Sequence, residues 1–127
     1  MKKLFFLTFA LISIVFISCK RNSNDSLFTG TVIGIADGCT VNTGTSQNQP
    51  YLIKLDNLDN LPAGNALRAH PEYNSTLAVS NLPEEFRVVG KRINFSFREF
   101  TENDIPFLCN ANVMYYKAIL LQVTSTQ

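Results

Sequence analysis

Three cysteines, one histidine and a few clustered carboxylates carry whatever chemistry this chain can do. Cys39, Cys109 and His70 could form a thiolate–imidazole pair or a three-ligand metal site. Zinc sites, however, space their ligands as C-x-x-C or as two histidines a helical turn apart, and no such spacing occurs here. His70 also precedes Pro71 in a stretch broken by Pro62 and Gly64, so an exposed loop histidine is expected, with no metal and no cofactor. Glu84 and Glu85 are adjacent, and Glu99, Glu102 and Asp104 fall around one loop. Paired carboxylates serve acid–base catalysis, and Glu102-Asn103-Asp104 offers three oxygen donors to calcium, but nothing in the sequence positions a partner. A solvated acidic rim is the expected arrangement. No nucleophile–base–metal set emerges, so no catalytic residue is assigned and the chain reads as a non-enzyme.

The aromatic residues Phe95, Phe97, Phe100, Tyr115 and Tyr116 could build a stacking platform, since small OB barrels take oligonucleotides and oligosaccharides on one face. Alternation in Lys91 to Phe100 (KRINFSFREF) points instead to a strand with Ile93, Phe95 and Phe97 inward and Asn94, Ser96 and Arg98 outward. The phenylalanines are then core, and Tyr115 is the outward ring. Eleven Lys and Arg face ten Asp and Glu, a net charge of +1. Such a balance lacks the clustered positive charge that nucleic acid rewards.

Cys19 belongs to a different chemistry. Lys2 and Lys3 precede the run Leu4 to Ser18, apolar except for Thr8, Ser13 and Ser18. Charge, an apolar run of this length and a small residue make a secretory signal peptide, and the run falls short of the ~20 residues a membrane-spanning helix needs. Cys19 directly after Ser18 resembles a bacterial lipobox, in which a signal peptidase cuts before a cysteine whose thiol carries diacylglycerol. Phe16 and Ile17 stand where that pattern usually has Leu and then Ala or Ser. An ordinary signal peptide followed by a coincidental cysteine is the other reading.

The lipobox resemblance implies a lipoprotein signal peptide over 1–18, lipidation at Cys19 and a membrane anchor of acyl chains. Residues 19–26 then form a flexible tether, too polar to offset its own ordering entropy. Lys20 replaces the Asp of an inner-membrane retention signal, which implies outer-membrane sorting. The tether is no acidic export tract, so a periplasmic orientation is expected. Asp25-Ser26-Leu27 resembles a three-residue O-glycosylation acceptor of exported Gram-negative proteins, making Ser26 a candidate. With Cys19 acylated, Cys39 and Cys109 remain as an even pair in an oxidising compartment. Such a pair in a small exported domain reads as a disulfide.

One domain over 27–127 must position these groups. Leu27 to Ala36 reads as a strand in which Gly30 and Gly34 permit a bulge. Asp37-Gly38 turns into a polar loop, Thr40 to Gln49, and Tyr51 to Leu55 alternates as a second strand. Asn57 to Asn74 reads as irregular, and Thr76 to Ser80 as a third strand. Leu82 to Phe86 (LPEEF) reads as one helical turn capped by Asn81, with two acids at its positive end. The aromatic strand is the fourth and Val113 to Thr124 the fifth.

Five strands with a helical turn between the third and fourth predict an all-β, OB-fold-like Greek-key barrel, with an open β-sandwich as the competing architecture. In such a key the first strand is expected beside the fourth and the last, which brings Cys39 and Cys109 together. The lipobox, the Gly38-Cys39 after strand one, LPEEF before an aromatic strand and the late cysteine together resemble small uncharacterised lipoproteins of Gram-negative bacteria. That resemblance implies architecture and compartment, and no catalytic residue. The expected function is an outer-membrane-anchored, non-enzymatic binding or scaffolding module. Its expected partners are the membrane, through the lipid, and an envelope protein or glycan. The alternative is a periplasmic inhibitor of an envelope enzyme that presents a loop such as Ala63 to Asn74.

Overall fold

The computed structural model describes residues 27–42, 47–104, 107–110 and 114–126. Cys19 and Ser26, with the signal-peptide and tether segments 1–18 and 19–26, lie outside them. In chain order the strands are β1 (Phe28–Ile35), β2 (Cys39–Asn42), β3 (Gln47–Asn48), β4 (Tyr51–Leu55), β5 (Thr76–Val79), β6 (Arg92–Glu99), β7 (Phe107–Cys109) and β8 (Tyr116–Ser125). One helical turn, α1 (Ala66–Ala69), and two 3-10 turns, Pro71–Tyr73 and Glu84–Phe86, complete the set.

Strands β1, β4, β5, β8 and β6 close into a barrel in that order. Every neighbouring pair is antiparallel except β5 and β8, which run parallel. Counting barrel strands only, the order is first, second, third, fifth, fourth. This is an all-β, OB-fold-like Greek key, closed rather than an open sandwich, with the Glu84–Phe86 turn between its third and fourth strands. The first strand therefore neighbours the second and fourth; the last lies between the third and fourth, contrary to the expected adjacency.

Alternation fills the interior. Val32, Ile53, Leu77, Ile93, Phe95 and Ala118 have no exposed surface and belong to one apolar cluster. Gly30 faces the same interior, where an added Cβ would lie 2.6 Å from the Lys54 carbonyl oxygen. Only a residue without that atom lets β1 and β4 approach so closely. The expected bulge is present as a register shift between Val32 and Gly34. A second shift, between Ser96 and Phe97, interrupts the aromatic strand. Beside it Ser96 is buried rather than outward, and Phe97 is only half-buried.

Two segments read as loops are ordered. The polar stretch after Gly38 contributes β2 and β3, and the stretch after Asp104 contributes β7, in a separate sheet of order β3-β2-β7. Cys39 and Cys109 face each other across β2 and β7 and form a disulfide. The bridge thus joins the β1–β4 connection to the β6–β8 connection, not the ends of adjacent barrel strands. Alternation aims Ile53 and Leu77 inward, so Leu52 and Ala78 point out of the barrel. Here they meet Ala36, Cys39, Phe100, Cys109 and Tyr115 in a second apolar cluster. The bridged sheet covers Leu52 and Ala78 on the outer face of the second and third barrel strands, the face on which small OB barrels take ligands, and leaves Lys54 exposed.

The Asn57 to Asn74 stretch also has more structure than its Pro and Gly suggest. Asn65 caps α1, its Oδ1 accepting from the Leu67 N–H at 2.9 Å. Pro71 opens the next turn, where its missing N–H costs nothing. Leu61 and Leu67 are buried in the barrel cluster, with Leu58 and Tyr73 packed against it. Asn81, by contrast, does not cap the Glu84–Phe86 turn, whose cap position is Pro83. Its amide donates to the Leu120 carbonyl at 2.8 Å and accepts from the Leu120 N–H at 3.0 Å, supplying a strand's ladder bonds from a side chain.

Candidate functional site

A cleft of about 310 Å³ opens where the start of β1, the end of β6 and the start of β8 meet the 60–65 segment. Its floor is Phe28, Phe97 and Tyr116, with Leu61 beside them. Phe28 and Phe97 lie 5.0 Å apart between ring centroids, and Phe97 meets Tyr116 edge-on at 6.5 Å. Its rim carries Asn60, Asn65, Arg98 and Glu99. A second recess of about 210 Å³ shares Phe28 and Asn60 and continues past Leu27, Thr29, Asp56 and Asn57.

Most charge at this surface is already paired. The Arg98 guanidinium donates to both carboxylate oxygens of Asp104, at 2.9 and 2.6 Å. Thr101 adds its N–H to the same carboxylate at 2.7 Å. Donation by Arg98 first, and by the Thr101 N–H second, holds the Asp104 carboxyl well below the usual range. Arg92 likewise grips Asp56 through two hydrogen bonds, at 3.1 and 2.5 Å, and lowers its pKa. Burial pushes the Tyr116 phenol up, against an opposing hydrogen bond with Asn65, so the ring stays neutral. The side chains of Asn60 and Glu99 make no hydrogen bond among the described residues and are exposed.

The Asp104 pairing sets a pH dependence. Near pH 3–4 the unfolded chain, with ordinary carboxyls, binds more protons than the folded one. The pairing therefore supports the fold above the ordinary Asp pKa, and that support is lost as pH falls through the depressed one. Asp104→Asn is expected to lower Tm at pH 7 and to shrink the loss of Tm between pH 7 and 3. Thermal melts of both proteins at the two pH values check it. Identical acid shifts would show that the pair contributes nothing to the fold.

His70 is exposed, its Nδ1 3.0 Å from a Glu72 carboxylate oxygen and its ring edge-on to Tyr73. With Cys39 and Cys109 joined to each other, the thiolate–imidazole pair has no thiol. Among the described residues no group of three His, Cys, Asp or Glu could hold a metal ion. The Glu102–Asp104 loop does not present three free oxygen donors, because Arg98 and Thr101 occupy the Asp104 carboxylate. Glu84 and Glu85 are exposed on their turn. Of the aromatic candidates, Phe95 is wholly buried and Phe97 and Tyr116 line the cleft floor. Phe100 and Tyr115 pack under the bridged sheet, so Tyr115 is half-buried rather than an outward ring.

Phe28, Asn60 and Asn65 carry the cleft and were not marked by spacing, because its walls come from four separated segments. The repeated acid–amide pairs of Asp56-Asn57-Leu58-Asp59-Asn60 are the one signal that points toward it. No protein-family model, no protein of described function and no solved structure matches the chain.

Proposed function

We propose that this protein is a lipid-anchored envelope module that binds its partner without transforming it. The observation that carries this reading is the cleft: an aromatic floor and an amide rim, beside the residue that joins the barrel to its N-terminal segment. Polar groups set around aromatic rings fix the orientation of a ligand. The nearby aspartates, Asp56 and Asp104, are tied to arginines and held as weak bases, which suits binding better than proton transfer. The Ala63 to Asn74 segment, which an inhibitor would present, is anchored by buried Leu67 and by Tyr73 packed on the core.

Anchoring follows from the lipobox-like Phe16 to Cys19. The seven residues 20–26 span at most about 25 Å when extended, so the cleft works close to the bilayer. Cys19→Ala is expected to leave a soluble or uncleaved precursor, whereas wild type takes up an alkyne fatty acid in metabolic labelling. Wild type that takes no label while Cys19 stays a free thiol would place the protein free in the periplasm. Capture of partners from solubilised envelopes tests the binding role. A glycan or structural protein as main partner supports it; an envelope hydrolase as main partner turns the reading into that of an inhibitor.

A further inference from the structure

We propose that the cleft takes an uncharged glycan chain. This inference rests on the binding-module reading and names the ligand class of the same site. Two adjoining recesses meet at Asn60 and Phe28, a shape that suits a chain of rings more than one compact molecule. Asn60, at the junction, has a free amide that offers a donor and an acceptor side by side, the pattern of paired hydroxyls or of an acetamido group. Glu99 offers two acceptor oxygens for hydroxyls. Phe28 and Phe97 supply an apolar floor for the C–H faces of sugar rings.

Charge argues against the other ligand classes. Arg98 and Arg92, beside the recesses, are each matched by an aspartate, which leaves a phosphate or nucleic acid only Arg68, held on the Leu61 carbonyl at 2.7 Å, to pair with. Exposed Glu99 would also repel it. A cationic ligand would meet only solvated carboxylates, Glu99 and the Asp59 beside Asn60, contacts that salt screens. On the outer face of the second and third barrel strands, Leu52 and Ala78 are covered by the bridged sheet. That leaves this cleft, with its free polar groups, as the place where the barrel meets a polar, uncharged chain.

The test is calorimetric titration of the full-length lipidated protein in detergent. Its probes are chitotetraose, maltotetraose, inorganic polyphosphate and spermidine. A neutral oligosaccharide is expected to bind saturably and independently of salt. Asn60→Ala should weaken it by about tenfold, the loss of one or two hydrogen bonds, and Glu99→Ala by a similar factor. Glu85→Ala, on the turn between the third and fourth barrel strands, should leave it unchanged. Tighter, salt-dependent binding of polyphosphate or spermidine would overturn the assignment, as would oligosaccharide binding indifferent to Asn60→Ala. If neither saccharide binds, capture from envelopes with an Asn60→Trp variant separates the two levels. Capture of a protein, lost on filling the cleft, would sink the glycan and leave the binding module standing, whereas capture of a glycan lost in the same way would uphold both. Capture unchanged would remove the cleft from both.

Discussion

Cys39→Ser and Cys109→Ser are each expected to destabilise the domain by about 4 kcal/mol, out of a typical total of about 5–15 for a small domain. The magnitude follows from loop closure, because the bridge spans 70 residues of sequence and so ties together the stretch that holds three of the five barrel strands, β4, β5 and β6. The two variants should be alike, since either one removes the same bond. Each also loosens the sheet that covers Leu52 and Ala78, so native-state hydrogen exchange should rise first in β2 and β7. Urea denaturation of wild type, both variants and the reduced protein measures the effect. Wild type should accept no thiol label at Cys39 or Cys109 until it is reduced. Variants that unfold like wild type would show that the bridged sheet stands without its bond.

Phe95→Ala is expected to cost roughly 3–5 kcal/mol, the range for truncating a fully buried Phe. Its ring has no exposed surface and lies 6.2 Å from Phe28 and 6.1 Å from Phe97 between centroids, so the barrel has nothing to fill the void. Phe97→Ala should cost less, roughly 2 kcal/mol, because half-burial removes less apolar area from water. Denaturant titrations of both variants decide the order. Equal losses would mean that the register shift does not turn Phe97 toward the cleft.

The alternation of β4 and β6 was legible in the sequence because their inward residues face the dry barrel core, which writes period two into the chain. Tyr51 to Leu55 and Ile93 to Phe95 follow that rule. It fails at Ser96, where the extra residue of a bulge breaks the period. Strands β2, β3 and β7 were hidden because they are only two to four residues long. They are held by pairing with each other and by a bridge between residues 70 apart, neither of which leaves a local pattern. Pro62, Gly64 and Pro71 masked the 57–74 cap, although Asn65 two residues before Leu67 carried a capping signal. The disulfide was legible as the one pair left once the lipobox resemblance sets Cys19 aside from the three cysteines. The cleft was not, since Phe28, Asn60 and Glu99 meet only through barrel closure and no periodicity joins them.

The most direct test of the account places a benzophenone side chain at Asn60 in the full-length, disulfide-intact protein and irradiates intact cells. A matched probe at Val89 samples an exposed apolar position, 69% accessible, on the loop before the fourth barrel strand. An envelope adduct is expected from position 60 and none from position 89. Adducts from position 89, with none from position 60, would contradict it and move the binding surface away from the cleft.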